Sequence, residues 1–90
     1  MKNSAQVMLR QNLIETVKAF QARWTLSHLS IGTYSINNQQ FVGRVVDDPG
    51  FNFGMKQYDR VMLWMAQNWP EGATWPAHVP RPSDDGEQAA

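Results

Sequence analysis

Cysteine is absent from the 90 residues. That removes disulfide frameworks and thiolate metal sites, and it suits a reducing cytoplasm, where we expect the protein. No apolar run approaches the roughly 18 residues a membrane span needs. The first helical stretch carries Arg10, Glu15 and Lys18, so neither a signal peptide nor a membrane anchor is expected. An excess of charge is missing as well: eight Lys and Arg face eight Asp and Glu. The basic surplus that usually accompanies phosphate binding is therefore absent in total. The balance hides an asymmetry. Residues 1–69 carry Lys2, Arg10, Lys18, Arg23, Arg44, Lys56 and Arg60 against Glu15, Asp47, Asp48 and Asp59, a net charge of +3. Residues 70–90 carry Arg81 against Glu71, Asp84, Asp85 and Glu87, a net charge of −3. Proline is scarce before residue 70, with Pro49 alone of the five, which leaves the body of the chain free to be helical.

With 42% hydrophobic residues, a chain this short supports one core and one domain. A polar cap from Asn3 to Gln6 opens a helix expected to reach about Trp24. On it Leu9, Leu13, Val17, Phe20 and Trp24 recur at spacings of 4, 4, 3 and 4, a stripe for the core or a dimer interface, while Arg10, Gln11, Glu15, Lys18 and Gln21 lie mostly elsewhere. In "TLSHLSIGTYS", Thr25 or Ser27 can cap a short helix that carries Leu29 and Ile31 and ends near Ser35. "INN" follows as a tight turn, because Asn tolerates the left-handed conformation.

A third helix is expected from Asn38 to about Asp48. At about 100° per residue, Phe41, Val42, Val45 and Val46 fill one half of its circumference. Gln39, Gln40, Gly43, Arg44 and Asp47 fill the other. The valines pair in twos, so the alternation of a strand fails. "DDPGFNFG" breaks the helix at Pro49 and Gly50. A fourth helix from about Gly54 to Asn68 carries Met55, Tyr58, Met62 and Met65. Trp69 and Trp75 precede prolines, so residues 69 to about 80 are expected to lie extended across the helices with their rings buried. Residues 83–90 have the composition of a disordered acidic tail.

Catalytic chemistry finds no support. His28 and His78 are far apart in sequence, there is no thiol, and no serine stands beside an obvious base. Asp47 and Asp48 lack the spacing of a calcium loop and read better as helix termination. We therefore expect no enzymatic activity, no catalytic residues, no metal and no cofactor. What remains is a pair of short helices joined by a tight turn, which is helix-turn-helix geometry; its second helix enters the DNA major groove. Gln and Asn can pair with adenine N6 and N7, and Arg with guanine O6 and N7. Gln39, Gln40 and Arg44 are the expected base readers, with Gly43 permitting close approach. Asn37 and Asn38 shape the turn and reach toward the groove. Ser27, His28 and Ser30, at a helix start, and Lys56 are the expected phosphate contacts. Asp47 on the same face counts against the reading, because it repels phosphate.

The stretches "LSHLSIGTYSINNQQFVGRV" and "YDRVMLWMAQNWPEGATWPAHVPRP" resemble short bacterial and prophage-type helix-turn-helix DNA-binding proteins with a C-terminal Trp-Pro tail. The matching positions are Leu26, Ser27, Ile31, Thr33, Asn37, Arg44, Val45, Trp64, Asn68, Trp69, Pro70, Trp75, Pro76, Arg81 and Pro82. They span about residues 26 to 82. The chain departs from the pattern at Asn38, where an acid is common, and at "DDPG", where a shorter glycine turn is usual. The resemblance implies DNA binding by analogy of fold alone.

The expectation is thus an all-α, four-helix domain over residues 1–82, with its helix-turn-helix at about 26–48 and an extended C-terminal tail. It would act as a small sequence-specific transcriptional regulator on double-stranded DNA. So little positive charge favours a homodimer, which doubles the phosphate contacts. The alternative is an adaptor or inhibitor that binds a protein through the same face, or through Trp69 and Trp75 of the tail.

Overall fold

The computed structural model describes residues 4–82. The cap expected at Asn3 and the acidic tail expected at 83–90 lie outside the described residues. Four helices are formed: α1 (Ser4–Arg23), α2 (His28–Ile36), α3 (Phe41–Asp47) and α4 (Met55–Gln67). There is no strand among the described residues, which are all-α. α1 packs on α3 and α4, and so does α2, whereas α3 and α4 do not approach one another. The helices thus form a ring in the order α1, α3, α2, α4 around one core.

The stripe on α1 supplies Leu13, Val17 and Phe20, all essentially inaccessible to solvent. Phe41, Val42 and Val45 of α3 and Tyr58, Val61, Met62 and Met65 of α4 close over them. Two ends of the expected pattern are solvent-facing instead. Met55 is exposed at the first position of α4, and Trp24 is 39% exposed because α1 ends one residue earlier. Its ring stacks on Phe20 at 5.2 Å and on Trp64 at 6.4 Å.

The buried face of α1 also carries two polar side chains that the apolar stripe does not announce, Asn12 and Thr16. Both are satisfied, as burial requires. Thr16 Oγ1 donates to the Asn12 carbonyl at 2.7 Å, and Asn12 Nδ2 donates to the Tyr58 hydroxyl at 3.4 Å. Burial raises the Tyr58 phenol above its usual ionisation range; the Asn12 hydrogen bond opposes the shift and Asp59 adds to it. A raised folded-state value means that this group's contribution to stability is complete below the ordinary phenol range. It is lost as pH rises through the folded value. Urea unfolding from pH 8 upward is expected to show a loss of stability above about pH 10 that Tyr58→Phe removes; superimposable curves for the two proteins would contradict it.

The segment between α3 and α4 does more than break a helix. Phe53 is buried and Phe51 half-buried, each meeting the Phe41 ring edge-on at 5.7 and 5.9 Å. Arg10 fixes this segment from α1. Its guanidinium donates to the carbonyls of Val45 at 2.7 Å, Asp48 at 3.1 Å and Phe51, and lies over the Phe53 ring. Gln6 adds a pair of bonds to the Phe53 backbone. Arg10 lies off the apolar stripe, and it supplies donors at the C-terminal end of α3, where helix carbonyls lack partners.

α4 is flanked by its N-cap Gly54, whose N–H donates to Gln57 Oε1 at 2.9 Å, and its C-cap Asn68, so that its ends lie within a residue of the expected limits. Beyond it the tail folds back. Trp69 and Trp75 are half-buried, pack at 4.7 Å and lie against the core. Trp69 donates to the Ala73 carbonyl and Trp75 to that of Val79. Arg81 reaches the Ala66 carbonyl at 3.1 Å across both indoles. His78 meets Glu15 at 2.5 Å. The Glu15 carboxyl is held below its usual range, mainly by the Gln11 amide, with His78 assisting against partial desolvation.

Candidate nucleic-acid interface

The four residues that connect α2 to α3 are the four consecutive amides Asn37, Asn38, Gln39 and Gln40. Their conformation follows from the sequence. α2 ends because Asn37 takes the left-handed conformation at φ 56°, which a short polar side chain tolerates. Its N–H donates to the Thr33 carbonyl at 3.0 Å, and that of Asn38 to the Gly32 carbonyl at 3.1 Å. The turn lies so close to α2 that a Cβ on Gly32 would overlap the Asn38 carbonyl oxygen.

α3 begins three residues later than the expected Asn38. The Asn38 carbonyl accepts from Phe41 N–H at 3.2 Å, and its side chain accepts from Gln40 N–H at 3.1 Å. These local bonds hold Asn38 to Gln40 as a turn, in competition with helix. Gln39 and Gln40 consequently stand at the entrance of α3 and not along its outer face. Gln40 is the residue before the first helical position, and its carbonyl accepts from Arg44 N–H at 3.0 Å. Its side chain makes no capping bond. All four amides are exposed.

Gln39, Gln40 and Arg44 converge on one open hollow of about 390 Å3, lined also by His28, Leu29, Gly43, Asp47 and Asp48. The Arg44 guanidinium lies 5.2 Å from the centre of the Phe51 ring and has no carboxylate within 4 Å among the described residues. Nothing lies within 4 Å of where a Cβ on Gly43 would stand. Gly43 therefore lines the hollow without adding a side chain to it.

Ser27 caps α2, its Oγ accepting from Ser30 N–H at 3.1 Å and lying 3.3 Å from Ser30 Oγ. His28 is the first residue of α2 and faces the hollow; Ser30 is half-buried. Lys56 is brought to a different place. It is exposed in the first turn of α4, which does not approach α3, and it does not line the hollow.

Two lining residues were not among the expected contacts. Asp48 joins because the chain turns directly after α3, with Asp48 Oδ1 accepting from Gly50 N–H at 3.0 Å. Leu29 joins because residues two apart on a helix point to nearly opposite sides. With Ile31 fully buried, Leu29 is left 55% exposed. The sequence carried that signal in the spacing of Leu29 and Ile31. Among the described residues no three His, Cys, Asp or Glu side chains are grouped to hold a metal ion, and no helix is long and apolar enough to cross a membrane. No family model matches the chain, and neither a curated protein nor a solved structure does.

Proposed function

We propose that the chain is a small sequence-specific DNA-binding transcriptional regulator, with α2 and α3 as a helix-turn-helix. The observation that carries this reading is that exposed Gln39, Gln40 and Arg44 line one open hollow at the start of α3. Side chains at that end of a recognition helix are the ones that reach base edges. The amides would pair with adenine and Arg44 with guanine. Asn37 and Asn38 would hold the turn at the groove. Ser27, His28 and Ser30 would meet one phosphate strand and Lys56 a more distant one. The likeness of residues 26 to 82 to short helix-turn-helix proteins belongs to this reading. Since cations are few, the reading includes a homodimer on a two-fold site.

Selection of bound duplexes from a random library, repeated with Gln39→Ala and Arg44→Ala, tests it. The wild type should enrich a motif, and each variant should relax one position of it, at a cost of about 1–3 kcal/mol per lost bidentate contact. Failure to enrich any motif at low ionic strength would refute the proposal.

A second reading has specific support. The hollow presents one arginine against two carboxylates, Asp47 and Asp48, together with an exposed Leu29. That balance suits an adaptor docking on a protein with a basic and apolar surface. The two readings part in their response to salt: duplex binding weakens steeply as salt rises, whereas an apolar contact hardly changes.

A further inference from the structure

The hollow contains one large side chain that hydrogen bonding to bases does not use. Leu29 is more than half exposed and lines the hollow together with Gln39, Gln40 and Gly43. An isolated exposed leucine is ordinary. This one, however, lines the same hollow as the two glutamines, and Gly43, which stands in the chain between them and Arg44, brings no side chain to it.

We propose that Leu29 is a specificity-determining residue that receives a thymine 5-methyl group. The inference rests on the DNA-reading proposal and adds a base that proposal leaves unread. A glutamine paired with adenine N6 and N7 holds an A·T pair at its major-groove edge. The thymine of that pair or of an adjacent one carries the only methyl group the four bases present there. That methyl needs an apolar neighbour and room to enter. Leu29 supplies the neighbour, and Gly43 leaves the room. Nothing else on the lining of the hollow is a large aliphatic side chain, and His28, Asp47 and Asp48 would favour water or a donor over a methyl. The hollow would then read adenine by amide, guanine by guanidinium and thymine by shape.

The test replaces thymine by uracil, which removes the methyl and leaves every hydrogen bond intact. The enriched duplex is made with uracil at each thymine position in turn, and binding is measured with wild type and with Leu29→Ala. That substitution removes an exposed side chain and keeps a good helix former. One position is expected to lose about fourfold with wild type, the worth of one buried methyl group, and to lose nothing with Leu29→Ala. If a motif is enriched but uracil is neutral at every position, or the loss persists unchanged in Leu29→Ala, this inference is overturned and the DNA-reading proposal stands. If no motif is enriched, both fall together.

Discussion

Replacing Gly32 with alanine is expected to lower the stability of the domain by about 3 kcal/mol, the upper end of the cost of overpacking, and the melting temperature by roughly 12 to 24 °C. In most helix interiors the same exchange is favourable by about 1 kcal/mol. Here the added Cβ would overlap the carbonyl oxygen of Asn38, which is backbone and cannot swing aside. That oxygen already accepts from Phe41 N–H, and the Asn38 N–H is bonded to the Gly32 carbonyl. The turn can retreat only by giving up both bonds. Gly43→Ala is the internal control. It too lies within a helix, but nothing stands where its Cβ would go, so it should be neutral or stabilising by up to about 1 kcal/mol. Thermal unfolding followed by circular dichroism checks the pair, and equal effects at the two glycines would contradict the tight approach of turn to helix.

The second large effect is expected at Arg10. Arg10→Met keeps the aliphatic stem but removes the donors that serve Val45, Asp48 and Phe51. The two half-buried carbonyls lose their charged partner, and we expect a loss of about 3 kcal/mol, the scale of a hydrogen bond to a charged group. Arg10→Lys should recover only part of it, because an ammonium group cannot reproduce the planar fork. The location of the effect is as informative as its size. Hydrogen exchange should accelerate over residues 44 to 53, which Arg10 ties to α1, more than over α4, which packs on α1 and α2 through other side chains. Uniform acceleration across the domain would mean that Arg10 acts only through global stability.

These two positions also mark how far the sequence could be read. The limits of α4 and the start of α2 follow from signals within a few residues: a Gly54 start and an Asn-Trp-Pro end for one, a Ser27 cap for the other. The left-handed Asn37 was equally legible, since few residue types accept that conformation. Arg10 was not. Its partners lie 35 to 41 residues away along the chain, and a helical wheel places it merely off the apolar stripe. Asn12 and Thr16 were hidden for a related reason: each is polar by type and becomes a core residue only because Tyr58 and the α1 backbone meet its hydrogen bonds. The candidate site was legible in its members and less so in its form. Gln39, Gln40 and Arg44 do come together, but periodicity alone could not tell helix from turn where the Asn38 side chain and carbonyl capture the next N–H groups. Leu29 shows the opposite case, a position whose exposure was implied by its distance from Ile31.

The most direct test of the DNA-reading role is to titrate 15N-labelled protein with short duplex DNA at low ionic strength and to follow both backbone and side-chain amide signals. The proposal predicts shifts centred on residues 27–30 and 37–44, with a smaller one at Lys56 and with the side-chain amides of Gln39 and Gln40 among the most affected, and predicts that they fade as salt is added. Absence of shifts there, or shifts gathered instead on exposed Trp24 and Tyr34, whose rings stack on half-buried Trp64, would contradict it.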